Sequence, residues 1–377
     1  MKFTINKNVL NNAIQHVSKA VASRTTIPIL SGILVVADAT AVTLTASDQT
    51  ITIQSRIPLE SETAVVGTVE RPGRIVLTAK FFVEMIKKMP KDEIEIEIEE
   101  GFKTNLKSGR TKLQLTGLDP DEFPTLPLIE SDESFSIAAS KLRDAIDKTK
   151  FAVTTNEGTP VLMGVLLNLS DSEIRLVATD RHRMATLNEQ VDTDTIFSNV
   201  LIGGKELGEL YKVLPNDNSL VTISVVDNQA SFQAENLSFF VRMVDGTYPD
   251  TSKIIPTSFK TEVTLNRKAL EDSIDRAYLI SKEEKTNIIR LMSNESGGIT
   301  VSSTAENSAF EDELDVSKME GEASKVAFNS KYALDALKAI DTDEVFIGFN
   351  GNMSPIIIKP VGGSDALHLV LPYRTTN

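Results

Sequence analysis

Residues 135–146, FSIAASKLRDAI, carry the pattern that decides the fold. FSIA alternates apolar and polar side chains, as a strand with one buried face does. Ser140 is a natural helix cap, and Leu142, Ala145 and Ile146 then recur at the three-to-four spacing of an amphipathic helix. The same order of strand, cap and helix returns in FTINKNVLNNAI (3–14), IVLTAKFFVEMI (75–86), VLIGGKELGELY (200–211), TEVTLNRKALEDSI (261–274) and VAFNSKYALDAL (326–337). In the fifth segment along the chain, Asn266 caps and Leu270 pairs with Ile274. Alternating strands fill the gaps, among them AVTLTASDQTITIQSRI (41–57), EIEIEIEE (93–100) and EIRLVATD (173–180).

The first copy resembles the third and fifth, and the second resembles the fourth and sixth, at separations of roughly 125 to 130 residues. The chain therefore reads as an α+β protein of three repeated domains, each of two halves, over 1–126, 127–254 and 255–377. The joins fall in DPDEFPTLPLIESDES (119–134) and DGTYPDTSKIIPTSF (245–259), both rich in proline, aspartate and serine.

Composition narrows the function. With 377 residues and no cysteine, the chain has room for several cores and excludes disulfides, cysteine-ligated zinc, iron–sulfur clusters and a cysteine nucleophile. The polar start MKFTINKNVLNNAIQHV lacks a signal peptide's apolar core, and no apolar run has transmembrane length, so a cytoplasmic protein is expected.

The formal charge of −14 argues, as an average, against nucleic acid. Its distribution argues otherwise. The stretches 7–20, 80–91, 141–150, 205–212, 267–276 and 331–338 sum to +8, leaving −22 elsewhere. A cation stands at every helix entrance: Lys7, Lys80, Lys141, Lys205, Arg267 and Lys331. Each opposes the helix dipole, so the recurrence reflects either inheritance through duplication or a demand from something anionic. Helices facing one way would give an acidic protein a basic surface able to hold phosphates without reading sequence.

Enzyme motifs are wanting. IGGKEL lacks P-loop spacing, DRHR is not the kinase order, and DPDE lacks the glycine and terminal glutamate of a calcium loop. EIEIEIEE reads as a strand with isoleucine inward and glutamate outward, and His182 as a structural histidine with no convergent metal ligands. No nucleophile, base and orienting group assemble, and no cofactor or metal is expected. The rival class is an enzyme or sugar-binding protein on duplicated domains, its acidic residues serving as general acids.

RTTIPIL (24–30), FF (81–82), SGR (108–110), VATDRHRMA (177–185), VDGTYPD (244–250), FNSKY (328–332) and LPYR (371–374) stand in an order and spacing that resemble the beta sliding clamp of bacterial DNA polymerase III over essentially the whole chain. The resemblance implies a non-catalytic processivity factor. It would be a head-to-tail homodimer closed into a ring around duplex DNA, with helices inside and two sheets per domain outside. Its partners would be the polymerase III alpha subunit, the clamp loader and other replication or repair proteins carrying a clamp-binding motif, without a membrane.

Residue by residue, the resemblance implies a client-peptide pocket of Leu162, Thr179, His182, Arg183, Met184, Pro249, Ile254, Leu369 and Leu371, and an adjoining groove of Asn329, Tyr332, Pro372, Tyr373 and Arg374. Arg181, where relatives often carry glycine, adds a guanidinium to the rim. DNA contacts fall to Arg24, Lys80, Lys87, Lys88 and Lys205, while Pro160 and Val161 stand where relatives can carry aromatic or polar DNA contacts. At the subunit interface, Leu113 and Leu115 meet Leu279 and Ile280, and Glu306, Glu311, Asp312 and Glu313 lie in reach of Arg110 and Lys112.

Overall fold

The computed structural model describes residues 1–22, 24–60, 65–125, 134–283, 285–294 and 297–374, so the expected join at 126/127 lies outside the described residues. All six strand-to-helix passages form. Lys2–Asn6 enters α1 (Lys7–Val17), Gly73–Thr78 enters α2 (Ala79–Lys88), and Ser134–Ala138 enters α3 (Ala139–Asp147). Phe197–Gly203 enters α4 (Gly204–Val213), Thr261–Asn266 enters α5 (Arg267–Glu283), and Lys325–Asn329 enters α6 (Ser330–Lys338).

The caps divide by chemistry. Asn6 Oδ1 accepts from the amide of Asn8 at 2.9 Å, Asn266 Oδ1 from that of Ala269 at 2.9 Å, and Asn329 Oδ1 from that of Lys331 at 3.0 Å. Ser140 does not cap α3. The helix starts at Ala139, whose amide and that of Ser140 donate to the carbonyls of Ser219 and Asp217, each at 2.8 Å. Main-chain acceptors already satisfy that end, and the Ser140 hydroxyl donates instead to Asn218 Oδ1. The expected stripes are buried: Leu142, Ala145 and Ile146 on α3, Leu270 and Ile274 on α5.

The chain packs as two compact units, residues 1–140 with 209–243 and residues 141–208 with 244–377. In the first unit a five-stranded sheet runs Gly67–Arg71, Lys2–Asn6, Glu93–Ile98, Lys103–Ser108, Thr111–Thr116. An eight-stranded sheet runs Ser134–Ala138, Leu220–Val226, Gln229–Ala234, Leu237–Arg242, Ile51–Pro58, Ala41–Ser47, Gly32–Ala37, Gly73–Thr78. Leu10, Ile14 and Val17 of α1 and Phe82 and Ile86 of α2 are buried, and Ile94 and Ile96 point inward from EIEIEIEE as expected.

The second unit holds a nine-stranded sheet: Phe197–Gly203, Gly164–Ser170, Glu173–Thr179, Arg183–Gln190, Asp365–Val370, Ile356–Pro360, Glu344–Phe349, Thr261–Asn266, Lys318–Gly321. A four-stranded sheet runs Ser308–Leu314, Ile299–Ala305, Ile288–Ser293, Lys325–Asn329. Among the described residues every strand pairing is antiparallel.

Repeat and compact unit do not coincide because the long sheets cross the repeat boundaries. The last strand of the second repeat pairs with the fourth of the first, Phe240 facing Thr52. The last strand of the third pairs with the fourth of the second, Leu369 facing Met184. Local duplication is equally close: PILSG (28–32) and PVLMG (160–164) each make a 3-10 turn opened by proline and closed by glycine. A β-carbon on Gly32 would lie 2.4 Å from Val76 Cγ1, and one on Gly164 would lie 2.7 Å from Leu201 Cδ1, so both strands start where only glycine fits.

At the second of these joints His368 is buried, beside the Phe151 ring at 5.6 Å, with neither ring nitrogen hydrogen-bonded among the described residues. Burial first, and then the charge of Lys148, push its pKa down to about 3. Lys148 itself is held by Asp144 and Asp341. The folded state thus resists a proton that the unfolded chain accepts below pH ~6.5. Stability is unaffected above that value and falls by about 1.4 kcal/mol per pH unit below it, or about 2 kcal/mol by pH 5. Urea unfolding at pH 7 and pH 5 should show this loss, reduced in His368→Leu; equal losses in both proteins would remove His368 as the cause.

Candidate functional site

The hairpin between Glu173–Thr179 and Arg183–Gln190 turns through Asp180, Arg181 and His182. Asp180 Oδ1 accepts from the amides of His182 at 2.9 Å and Arg183 at 3.0 Å, and Thr179 Oγ1 donates to the Arg183 carbonyl at 2.6 Å. Arg181 takes φ +75°, a conformation costing a non-glycine residue roughly 1–2 kcal/mol. From behind, the buried Tyr248 hydroxyl accepts from the Thr179 amide at 2.9 Å, and burial drives its pKa upward.

Arg183 is pinned on every side. Its Nε donates to Asp180 at 3.0 Å, Nη2 to the Phe151 carbonyl at 2.7 Å, and Nη1 to Asp335 on α6. The guanidinium lies 4.7 Å from the Tyr332 ring centre and 5.5 Å from that of Phe151. A charge so fully engaged is a structural brace, leaving the arginine stem to face the adjoining space.

That space is a cavity of about 880 Å³. Of the residues expected at the pocket, Leu162, Thr179, Arg181, Arg183, Met184, Pro249, Ile254, Leu369 and Leu371 line it. Leu162, Met184 and Leu369 are 4 %, 1 % and 1 % exposed and form a floor continuous with the core, whereas Ile254 at 44 % and Leu371 at 38 % stand open at the mouth. An apolar floor with a few fixed polar groups at the edge suits apolar side chains delivered on a short peptide.

His182 is not in the wall. Its ring stacks on Tyr332, centres 6.3 Å apart, because the turn directs it toward α6 rather than inward. Asn329 and Tyr332 sit at the start of α6, and the tail beside them is fixed by the Pro372–Phe328 bridge and by the Tyr373 amide donating to the Ala327 carbonyl at 2.6 Å. Tyr373 and Arg374 are exposed. Sequence reasoning missed Val161, Thr251 and Pro355 in the wall and the Tyr248 brace. Pro160 and Val161 also line this cavity.

The expected DNA contacts are all exposed. Lys80 and Lys87, seven residues apart, share one face of α2 with Lys88, which pairs with Glu84 at 3.8 Å. The helix-entrance cations divide. Lys7 donates to the Met89 carbonyl, Lys141 pairs with Glu189, and Arg267 pairs with Glu271 at 2.9 Å, so inheritance and internal packing account for them. Lys80, Lys205 and Lys331 are left exposed.

Leu113 and Leu115 lie half-exposed on Thr111–Thr116, a free sheet edge among the described residues, and Leu279 near the end of α5 is 61 % exposed, beside the half-exposed Ile280. The other free edge of this kind is Ser308–Leu314, which carries Glu311 and Glu313. Asp312 on it is already paired with Arg276 at 2.5 Å, which holds its carboxyl below the usual range. Among the described residues no three histidine, aspartate or glutamate side chains cluster as metal ligands do.

A thrice-repeated α+β chain with a deep apolar cavity at a repeat joint, and with Thr111–Thr116 and Ser308–Leu314 among its free sheet edges, defines a docking scaffold with open strands for self-assembly. Family models for the DNA polymerase III beta subunit match in sequence: the N-terminal domain at residues 1–127, the central domain at 136–250 and the C-terminal domain at 252–374. The chain is 42% identical to the beta sliding clamp of Halalkalibacterium halodurans, covering 100% of both. Its fold matches the crystal structure of the Bacillus subtilis DNA polymerase sliding clamp with a TM-score of 0.96 at 41% identity, covering 100% of this chain and 99% of that one. It also matches a Pseudomonas aeruginosa sliding clamp bound to griselimycin, TM-score 0.92 at 29% identity, covering 100% of both chains. The chain belongs to the DNA polymerase III beta subunit family, the beta sliding clamps.

Proposed function

We infer that this chain is a DNA sliding clamp, a processivity factor that encircles duplex DNA and tethers the replicative polymerase and other clients. It performs no catalysis of its own. Full-length membership of the clamp family is the observation that carries this reading. The three domains are 1–126, 127–254 and 255–377, and the compartment is the cytoplasm; among the described residues no helix is long and apolar enough to cross a membrane.

Ring closure follows from the repeat. Each joint within the chain pairs the last strand of one repeat with the fourth strand of the repeat before it. Thr111–Thr116 and Ser308–Leu314 are the last and fourth strands left over. The same joint made between two copies gives a head-to-tail dimer that closes on itself and leaves neither edge bare. Leu113, Leu115, Leu279 and Ile280 form its apolar part, to which Phe81 adds. Phe81 is third in α2 as Tyr332 is third in α6, and it is 57 % exposed.

Arg24, Lys80, Lys87, Lys88 and Lys205 attract the phosphate backbone without reading bases, which lets the ring slide. Clients insert apolar side chains between Leu162, Met184, Leu369 and Leu371, with Arg181 at the rim and the Asn329–Tyr332–Tyr373 surface beside. Loaded by an ATP-driven loader onto nicked circular DNA, the protein should stay bound in high salt and be lost when the circle is cut. Equal retention on linear DNA with free ends would overturn topological binding.

A further inference from the structure

The first unit contains a second cavity, of about 680 Å³, built as the client cavity is built. Its turn, Ser47 to Thr52, matches Thr179 to Met184: Asp48 Oδ1 accepts from the amides of Thr50 at 3.0 Å and Ile51 at 2.9 Å, and Gln49 takes φ +80° where Arg181 takes +75°. Across the joint, the Arg242 amide donates to the Thr50 carbonyl at 2.9 Å, and in the client cavity the Leu371 amide donates to the His182 carbonyl at the same distance. Pro124 stands where Pro249 does, one residue after Phe123 and Tyr248 respectively.

The scaffold is kept and the chemistry is changed. Met184 becomes Thr52, Arg181 becomes Gln49, and Leu371 becomes Arg242. The side chains of Gln49, Thr50, Gln229 and Arg242 converge on this space with no hydrogen-bond or ion-pair partner among the described residues. Asp227 lines it too, unpaired with Arg242 and available as an acceptor for peptide amides.

We propose that this cavity at the first repeat joint is a second docking site, taking a short extended peptide whose acidic side chain is held by Arg242. Backbone groups of the peptide meet Gln49, Thr50, Gln229 and Asp227, and its apolar part rests on Phe240. The proposal rests on reading the client cavity as a peptide site, since the two share one construction.

The absence of cysteine allows a direct test on the full chain. Thr50→Cys, exposed at the second cavity, is equilibrated with disulfide-capped N-acetyl-Asp-Leu, Asn-Leu and Lys-Leu amides under graded 2-mercaptoethanol, and capture is read by intact mass. Ile254→Cys at the client cavity is treated with a Leu-Phe probe in parallel. The Asp probe should be captured about threefold to fivefold more than the Asn probe, the size of one exposed ion pair. Arg242→Gln, an exposed position, should abolish that preference. Equal capture of the Asp and Asn probes, a preference for Lys, or a preference surviving Arg242→Gln would overturn the proposal. Capture of Leu-Phe at position 254 with no selectivity at position 50 sinks the second site alone; failure at both sinks the peptide reading with it.

Discussion

Cysteines at positions 114 and 309 should cross-link two copies into a sealed dimer almost completely. The expected register comes from the two joints inside the chain. Counted through the paired strands from the residues that precede the helices, Gln114 corresponds to Phe240 and Leu369. Counted the same way, Ala309 corresponds to Thr52 and Met184. Phe240 faces Thr52 and Leu369 faces Met184, so both joints share one register. Carried to the subunit joint, it sets Gln114 against Ala309 of the partner subunit, Leu113 against the partner's Phe310 and Lys112 against the partner's Glu311.

Facing residues of an antiparallel pair lie about 4.5–5.5 Å apart at Cα, within disulfide range, whereas a slip by one residue turns the side chains to opposite faces. Gln114→Cys with Ala309→Cys should therefore run as a dimer on non-reducing gels, and Gln114→Cys with Phe310→Cys should not. The chain's lack of other cysteines makes the bands unambiguous. Cross-linking by the slipped pair alone would overturn the register, and cross-linking by neither would overturn the edge-to-edge joint. Breaking the joint is the converse: Leu113→Asp with Leu279→Asp should leave monomers at concentrations where the parent is dimeric, because two carboxylates would be enclosed without partners.

The repeat, the six helices and their buried stripes were legible because they rest on local periodicity, which tertiary packing reinforced at Leu142, Ile146, Leu270 and Ile274. Ser140 does not act as the cap its sequence suggests because its helix end is satisfied by main-chain carbonyls 77 and 80 residues along the chain from the amides they accept from, which no local pattern announces. The apolar members of the candidate site came through resemblance, and their burial was invisible in sequence. Met184 and Leu369 face each other across a repeat joint, so they look like ordinary strand residues until the sheet crossing the repeats is known. Charge counting picked out the cations at the helix entrances but could not separate Lys141 and Arg267, consumed by Glu189 and Glu271, from the exposed Lys80 and Lys205. The second cavity lay hidden for the same reason: its partners are spread over three distant segments, and only the repetition of a turn reveals it.

Leu371→Glu should weaken binding of a peptide carrying a client's clamp-binding motif by about a hundredfold while leaving the fold and dimer intact. Leu371 stands at the cavity mouth, 38 % exposed, and the hydrogen bond its backbone amide donates to the His182 carbonyl does not depend on the side chain. The variant loses an apolar wall worth about 1.5–3 kcal/mol and puts a carboxylate where the client's side chain must be desolvated. Met184→Glu is a different experiment. Met184 is 1 % exposed on a strand between Thr179 and Leu369, so a glutamate there is buried without a partner and costs stability as well as affinity. Peptide titration by fluorescence anisotropy beside thermal unfolding separates the two: Leu371→Glu should move affinity alone, Met184→Glu both. Unchanged affinity in Leu371→Glu would exclude this wall from client binding, and unfolding by Leu371→Glu would make the mouth part of the core.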